Sequence, residues 1–294
     1  MNGSERVSKT AILTDSASDI PAELQKKYGV DILPFLITVD GQSYTEREDF
    51  TNEEYYDMLT KAVDIPKTSQ ITLPRFLEKF CEYADAGYTD VIYVAINAGG
   101  SITYDAARMA ADALREERPD CKMGVHIVDS HTYSMTYGWH VCEAARKLAA
   151  GADVKSAVEY LEEQFAAMEI ALSVFTLRFI KKSGRISAAA AFAGELLGLR
   201  PIISMIDGVT ATASKVRGDS NVMPALVDYT KKRIAPHGMY MVGTTDMENG
   251  KMLAKLCKKE FGYAPETIFM LGAAVASNTG PNAVAIVFNG EKRR

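Results

Sequence analysis

Asn97-Ala98-Gly99-Gly100-Ser101-Ile102-Thr103-Tyr104 joins two segments of different periodicity. Before it, Val91-Ile92-Tyr93-Val94-Ala95-Ile96 is an unbroken apolar run of strand length, which predicts a buried strand. After it, residues 104–114 read as a helix. Two glycines and a hydroxyl residue therefore occupy a strand-to-helix corner. Glycine lets the backbone approach a ligand closely and take positive φ. Ser101 or Thr103 can cap the helix, whose free N–H groups and positive dipole end then face a cleft. Such a corner suits an anion, phosphate or carboxylate. The same spelling also fits a capped helix after a glycine turn with no ligand at all.

The flanking segments repeat the pattern. Residues 11–14 predict a short buried strand that runs into Asp15-Ser16-Ala17-Ser18-Asp19. Pro21 opens the next helix and Gly29 ends it. Residues 125–128 predict another strand, and it too stops at Asp-Ser, at positions 129 and 130. Strand C-termini of open parallel sheets are where ligands bind. Residues 31–39 read as one strand leading to an Asp40-Gly41 hairpin turn. Thr51 and Glu54 fit a capping box for a helix over 52–62. Residues 66–70 read as a hydroxyl-rich loop, and a helix over 73–84 puts Phe76, Phe80 and Tyr83 on one face. A long helix holding Trp139 stops near Gly151. This alternation predicts an N-terminal α/β domain, residues 1–165, with a parallel Rossmann-like sheet. The second half has a helix at 154–168, a strand at 170–177 and an alanine-rich helix at 188–197. Strands at 201–206 and 209–216 flank Asp207-Gly208, and a strand at 239–243, a helix at 247–261 and strands at 268–272 and 283–288 follow, with a small-residue loop at 276–282. We read residues 166–294 as a second α/β domain with a mixed sheet.

The 294-residue length suits two modest domains with a sizeable core. A net charge of -5 gives no support to nucleic-acid or membrane-surface binding. Cys81, Cys121, Cys142 and Cys257 form no CxxC pair and read as free thiols of a reducing cytosol. His126, His131, His140 and His237 show no metal-ligand spacing, so no metal is expected. No apolar h-region follows Met1, and no apolar run has the length of a membrane span. The expected location is cytoplasmic, without stable membrane insertion. The chain carries neither GxGxxG nor GxxxxGK[ST], so no nicotinamide or flavin cofactor and no ATP loop of its own is expected.

Hydroxyl-rich corners recur at Asp15-Ser16, Thr68-Ser69-Gln70, Gly99 to Thr103 and Ser277 to Thr279. Their order and spelling resemble the DegV family of bacterial fatty-acid-binding proteins. The matching elements are Thr-Asp-Ser-Ala-Ser-Asp at 14–19, Thr-Ser-Gln at 68–70 and Ser-x-Thr-Tyr at 101–104. Ser-Gly-Arg-Ile-Ser at 183–187, Arg200-Pro201, Lys215-x-Arg217-Gly218 and Asn-Thr-Gly-Pro at 278–281 continue the series. The resemblance covers about residues 10–290. It implies a two-domain α/β fold with an acyl chain in a tunnel between or beneath the domains. By motif position it assigns the carboxylate to Thr68 and Ser101, with Ser16, Ser69, Gly100, Asn278 and Thr279 supporting the head-group corner. Hydroxyls and helix-start N–H groups can hold a carboxylate through charge-assisted bonds. Candidates for the apolar sleeve are Phe175, Ile186, Phe192, Leu196, Leu197 and Ile203, although apolar residues at such spacing are usually plain core.

The resemblance further implies a carrier rather than an enzyme. A long-chain fatty acid would be its ligand, offered to a separate ATP-dependent fatty acid kinase subunit that makes the acyl phosphate. Arg185 and Arg217 occupy motif arginines that resemble a docking or phosphate-facing pair. Three departures bear on the ligand. Asn97-Ala98 stands where the family often has Ser-Ser, Gly100 where it has leucine, and Asn278 where it usually shows histidine. Two other functions stay open. One is a subunit similar to the substrate-binding subunit of dihydroxyacetone kinase, with His131 holding the substrate. The other is a binder of a non-lipid metabolite.

Overall fold

The computed structural model describes residues 9–186 and 198–291. β1 (Thr10–Asp15), β2 (Asp31–Leu33), β6 (Asp90–Ala95) and β7 (Gly124–Asp129) form a parallel sheet in the order β2-β1-β6-β7. β6 lies inside the sheet, and after Asp90 its residues Val91 through Ala95 are all buried, as expected for a strand covered on both sides. The predicted single strand over 31–39 is split. Pro34 lies in the gap between β2 and β3 (Leu36–Val39) and has no N–H to continue a ladder. β3 pairs instead with β4 (Gln42–Thr45) and with β5 (Lys67–Ser69) in a small antiparallel sheet. The stretch read as a loop at 66–70 is thus partly an edge strand.

α1 (Ala22–Tyr28) ends at Gly29, whose φ of 64° is the left-handed stop that glycine permits. α2 (Asn52–Lys61) carries the Thr51–Glu54 capping box. α3 (Leu73–Asp85) buries Phe76, Phe80 and Tyr83, and α4 (Thr103–Glu117) packs beside it. α5 (Met135–Ala149) and α6 (Val154–Phe165) follow β7.

The six-stranded sheet runs β10-β9-β8-β13-β11-β12. It contains β8 (Met168–Val174), β9 (Leu199–Ile206), β10 (Val209–Arg217), β11 (Tyr240–Thr244), β12 (Ile268–Met270) and β13 (Ala283–Asn289). It is antiparallel apart from the β11–β12 pair. α7 (Ile180–Ser183), α8 (Val222–Lys231), α9 (Met247–Phe261) and α10 (Ala273–Thr279) complete the described elements. Where a small-residue loop was expected at 276–282, α10 supplies a helical turn as far as Thr279. The expected helix at 188–197, with Phe192, Leu196 and Leu197, lies outside the described residues.

Side chains on a strand alternate between faces, and this sheet uses both. Ala171, Val284, Ile286 and Phe288 pack on α8 and α9 side chains such as Leu226 and Leu253. Ile170, Leu172, Ala285 and Val287 turn the other way and join the cluster built on the parallel sheet. That inward face is where the cavity lies. Among the described residues, no helix is long and apolar enough to cross a membrane.

Candidate functional site

The glycine corner is pinned from both neighbouring strands. Asp15, at the end of β1, accepts the Ile96 amide (2.9 Å) and the hydroxyls of Tyr93 (3.1 Å) and Tyr137 (2.6 Å). Asp129, at the end of β7, accepts the amides of Ala98 (3.1 Å) and His131 (2.9 Å). The repeated strand-ending Asp therefore has a shared physical task, holding the backbone after β6 in place. Burial raises the Asp15 pKa to about 6 against these bonds.

Ser101 is not the N-cap of α4: that position is Ile102, without a side-chain cap. Its hydroxyl instead belongs to a chain of bonds. The Ile71 amide donates to Thr103 Oγ1 at 3.4 Å, and Thr103 Oγ1 lies 2.8 Å from Ser101 Oγ. Ser101 Oγ also accepts the Thr103 amide at 3.3 Å. Either hydroxyl can donate in that pair, and the arrangement in which Thr103 donates leaves the Ser101 proton for a group in the space beyond.

That space is a cavity of about 530 Å³. Its polar lining comes mainly from the loops at the glycine corner and around it, with Thr68, Gln70, Ser101, Tyr133, Ser134, Arg185, Asn278 and Thr279, and Thr210 of β10 adds a hydroxyl from the sheet. Its apolar wall is the inward face of the six-stranded sheet, with Ile170, Leu172, Ile203, Met205, Ala285 and Val287, closed by Phe35, Ile96, Ile186, Phe269 and Leu271. Arg185 is exposed at this boundary and donates from Nε to the Gly100 carbonyl (3.4 Å) and from Nη1 to the Ser183 carbonyl (3.0 Å). A second, polar chamber of about 560 Å³ shares Thr68, Arg185 and Asn278 and adds Lys67, Lys182 and Asp64.

Of the residues singled out in the sequence, Thr68, Ser101, Gly100, Asn278, Thr279 and Arg185 come together on this cavity. Ser16 does not line it. Its hydroxyl donates to Glu46 (2.5 Å) and accepts the Phe35 amide (2.9 Å), so it secures the floor behind Phe35. Ser69 is exposed on β5 and Arg217 is exposed at the end of β10, both away from the cavity. Ile186 and Ile203 line the apolar part, whereas Phe175 packs on the helix-facing side of the sheet. Parity explains that outcome, since Phe175 continues the outward series of Ala171. His131 lies in a separate cleft, its Nδ1 3.3 Å from Asp129, beside Glu162 and Glu163.

The family model described as "Uncharacterised protein, DegV family" matches residues 9–291. The chain belongs to the DegV family. A DegV domain-containing protein of Clostridium perfringens is 30% identical over 280 residues, covering 94% of this chain and 97% of its own. The fold is shared with a stearic-acid-binding protein from Eubacterium ventriosum at a TM-score of 0.86 and 24% identity, covering 96% of this chain and 98% of that one. A DegV family protein from Thermus thermophilus, whose structure is described by its fatty acid binding, matches at a TM-score of 0.82 and 26% identity, over 96% of this chain and 100% of that one.

Two groups in this DegV cavity escaped the sequence reading as site residues. Gln70 Oε1 is buried and, among the described residues, has no hydrogen-bond partner. Tyr133 brings its phenol to the glycine corner, where Asn97 Nδ2 donates to it at 3.0 Å. Gln70 closes the Thr-Ser-Gln motif and was readable as a third polar group beside Thr68. Deeper in the DegV fold, Asp19 and Glu46 are buried carboxylates whose pKa values burial also raises. Asp19 is bonded by Ser134, and Glu46 accepts the Ala274 amide at 2.8 Å. Among the described residues no cluster of His, Cys, Asp and Glu is arranged to hold a metal.

Proposed function

We propose that this protein binds a long-chain fatty acid and presents its carboxylate to a separate ATP-dependent fatty acid kinase subunit. The observation that carries this reading is the polarity of one continuous cavity. Thr68 and Ser101 bring hydroxyls to its lining beside other polar groups of the loops, and aliphatic side chains of the six-stranded sheet form most of the opposite wall. Charge-assisted bonds from hydroxyls suit a carboxylate, and Arg185 at the boundary adds a cation without a buried ion pair. The tail needs only apolar surface. Ten buried methylenes would contribute about 8 kcal/mol before the cost of ordering the chain. A volume of about 530 Å³ is within the usual range for a ligand site. The fatty acids named for the Eubacterium ventriosum and Thermus thermophilus proteins support the same ligand class here.

Presentation to a kinase is supported by the polar chamber beside the head-group corner. Lys67, Lys182 and Arg185 give it the positive charge that a transferring phosphoryl group favours. Arg217 stands exposed on the rim strand and is available to a docking partner. His131 lines a different cleft, which counts against a substrate held on that histidine in the main cavity.

Delipidated protein refilled with palmitic acid and weighed by native mass spectrometry tests the binding reading. One bound acid per chain is expected, and Ser101→Ala and Thr68→Val should each weaken it about tenfold. A protein that stays at its apo mass refutes it. For presentation, the loaded protein with ATP and cell extract should yield acyl hydroxamate on hydroxylamine trapping, and Arg185→Ala should lower that yield.

A further inference from the structure

The departures at Asn97 and Gly100 form one device with Tyr133. The Asn97 backbone amide donates to the Thr132 carbonyl at 3.0 Å, which docks the loop carrying Tyr133 against the glycine corner. The Asn97 side-chain amide is oriented by its neighbours. Oδ1 accepts the Gly99 amide (3.2 Å), so Nδ2 points at the Tyr133 hydroxyl (3.0 Å) and the Gly208 carbonyl (3.3 Å). The Tyr133 hydroxyl then sits where the β-carbon of any larger residue at position 100 would stand. A leucine there would fill this space with hydrocarbon, whereas Gly100 leaves it to a phenol.

The phenol oxygen is already an acceptor, from Asn97. Its own hydrogen is left to donate, and burial raises its pKa above the ordinary phenol value, so it keeps that hydrogen at neutral pH. Gln70 lines the same cavity, and its Oε1 is a buried acceptor that lacks a partner among the described residues. A carboxylate offers acceptors only and cannot satisfy Gln70. A hydroxyl can accept from Tyr133 or donate to Gln70. Gly100 precedes Ser101 by one residue, and neighbouring Cα atoms are about 3.8 Å apart. On the reading that Ser101 holds the carboxylate, a group met by Tyr133 lies toward that end of the chain, because the phenol oxygen stands at the β-carbon position of the adjoining Gly100.

We propose that Tyr133, positioned by Asn97 in the space left by Gly100, makes this corner select acyl chains that carry a hydroxyl near the carboxylate. The proposal rests on the fatty-acid reading above and names the substrate class within it.

The test is calorimetric titration of delipidated protein with palmitic, α-hydroxypalmitic and β-hydroxypalmitic acids. The wild type should prefer one hydroxylated acid over palmitic acid by about tenfold, the size of one well-made hydrogen bond. Tyr133→Phe keeps the ring and should erase that ratio. The paired variant Tyr133→Ala with Gly100→Leu rebuilds an apolar wall and should reverse it in favour of palmitic acid. Thermal unfolding of each variant identifies any that fails to fold, and the wild-type ratio decides the matter on its own. Equal affinity of the wild type for all three acids overturns the proposal. So does an equal loss for all three in Tyr133→Phe, because the phenol would then be a general carboxylate donor. If none of the acids binds the wild type, the fatty-acid reading itself falls. Tight palmitic acid binding without discrimination leaves that reading standing and removes only this one.

Discussion

Replacing Ala285 by phenylalanine separates a tail-binding face from an ordinary core. Ala285 sits on β13 opposite Leu172 of β8 and Gly243 of β11, and its β-carbon lines the cavity. A ring there enters existing space between the sheet and the glycine corner. An acyl chain that loses contact for about four methylenes loses about 3 kcal/mol, which is roughly a 200-fold weaker Kd. A short acid such as octanoic acid needs less of the sleeve, so the ratio of palmitic to octanoic affinity should collapse. The empty protein should unfold at nearly the wild-type temperature, because the ring fills a void. The adjacent residue supplies the contrast. Ile286 is fully buried against the α8 and α9 side, and Ile286→Ala should cost about 2–5 kcal/mol of stability. Calorimetric titration and thermal unfolding read both effects. If Ala285→Phe destabilises the protein as Ile286→Ala does, or leaves palmitic acid affinity unchanged, the inward face is packed core and the tunnel argument is wrong.

Two buried groups make stability depend on pH with opposite signs. Asp15 has its pKa raised from 3.8 to about 6 by burial, so the folded protein binds a proton that the unfolded chain releases; its contribution rises as pH falls through 6, by about 1 kcal/mol between pH 7 and pH 5. His140 is held neutral with its pKa lowered from 6.5 to about 3, so protonation of the unfolded chain removes about 2 kcal/mol over the same interval. Urea midpoints at the two pH values should therefore shift in opposite directions, relative to wild type, for Asp15→Asn and His140→Gln; parallel shifts would contradict the assignment. Gly208→Ala should destabilise the β9–β10 hairpin by about 2 kcal/mol, because its φ of 73° disfavours a β-carbon. That β-carbon would also stand 2.6 Å from Asn97 Oδ1. Thermal unfolding reads the loss, and Gly208→Ala in an Asn97→Ala background should recover part of it.

The parallel sheet was legible because its information is local. An apolar run of strand length, glycine after it, and Asp-Ser at the ends of two other strands all sit within a few residues of one another in sequence. The structure adds why that spelling recurs: β1 and β7 flank β6, and each terminal aspartate holds an amide of the corner after β6. The small antiparallel sheet was not legible as such. Lys67-Thr68-Ser69 is short and polar, and its strand character comes from pairing with β3, far away in sequence. α10 is a similar case. Its small residues read as loop, and its fixed position comes from distant partners, with Tyr55 bonded to Ser277 at 2.6 Å and Glu46 to the Ala274 amide.

In the site, hydroxyl residues could be read in the sequence because each lies within a short motif. The apolar cavity lining required parity. Ile170, Leu172, Ala285 and Val287 share the inward face, and counting in twos along β8 places Phe175 on the other one. Tyr133 was legible only as a compensation. A glycine at position 100 is a missing side chain, and a missing side chain in a packed corner predicts a large one arriving from elsewhere, since voids forfeit dispersion contacts. The loop before α5 supplies it, and the substitution is not neutral chemically: hydrocarbon gives way to a phenol that Asn97 orients. The same positions that weaken the resemblance to the family's usual spelling are therefore the ones that set the polarity of this cavity beside Ser101, and ligand selectivity rather than fold is what they should change.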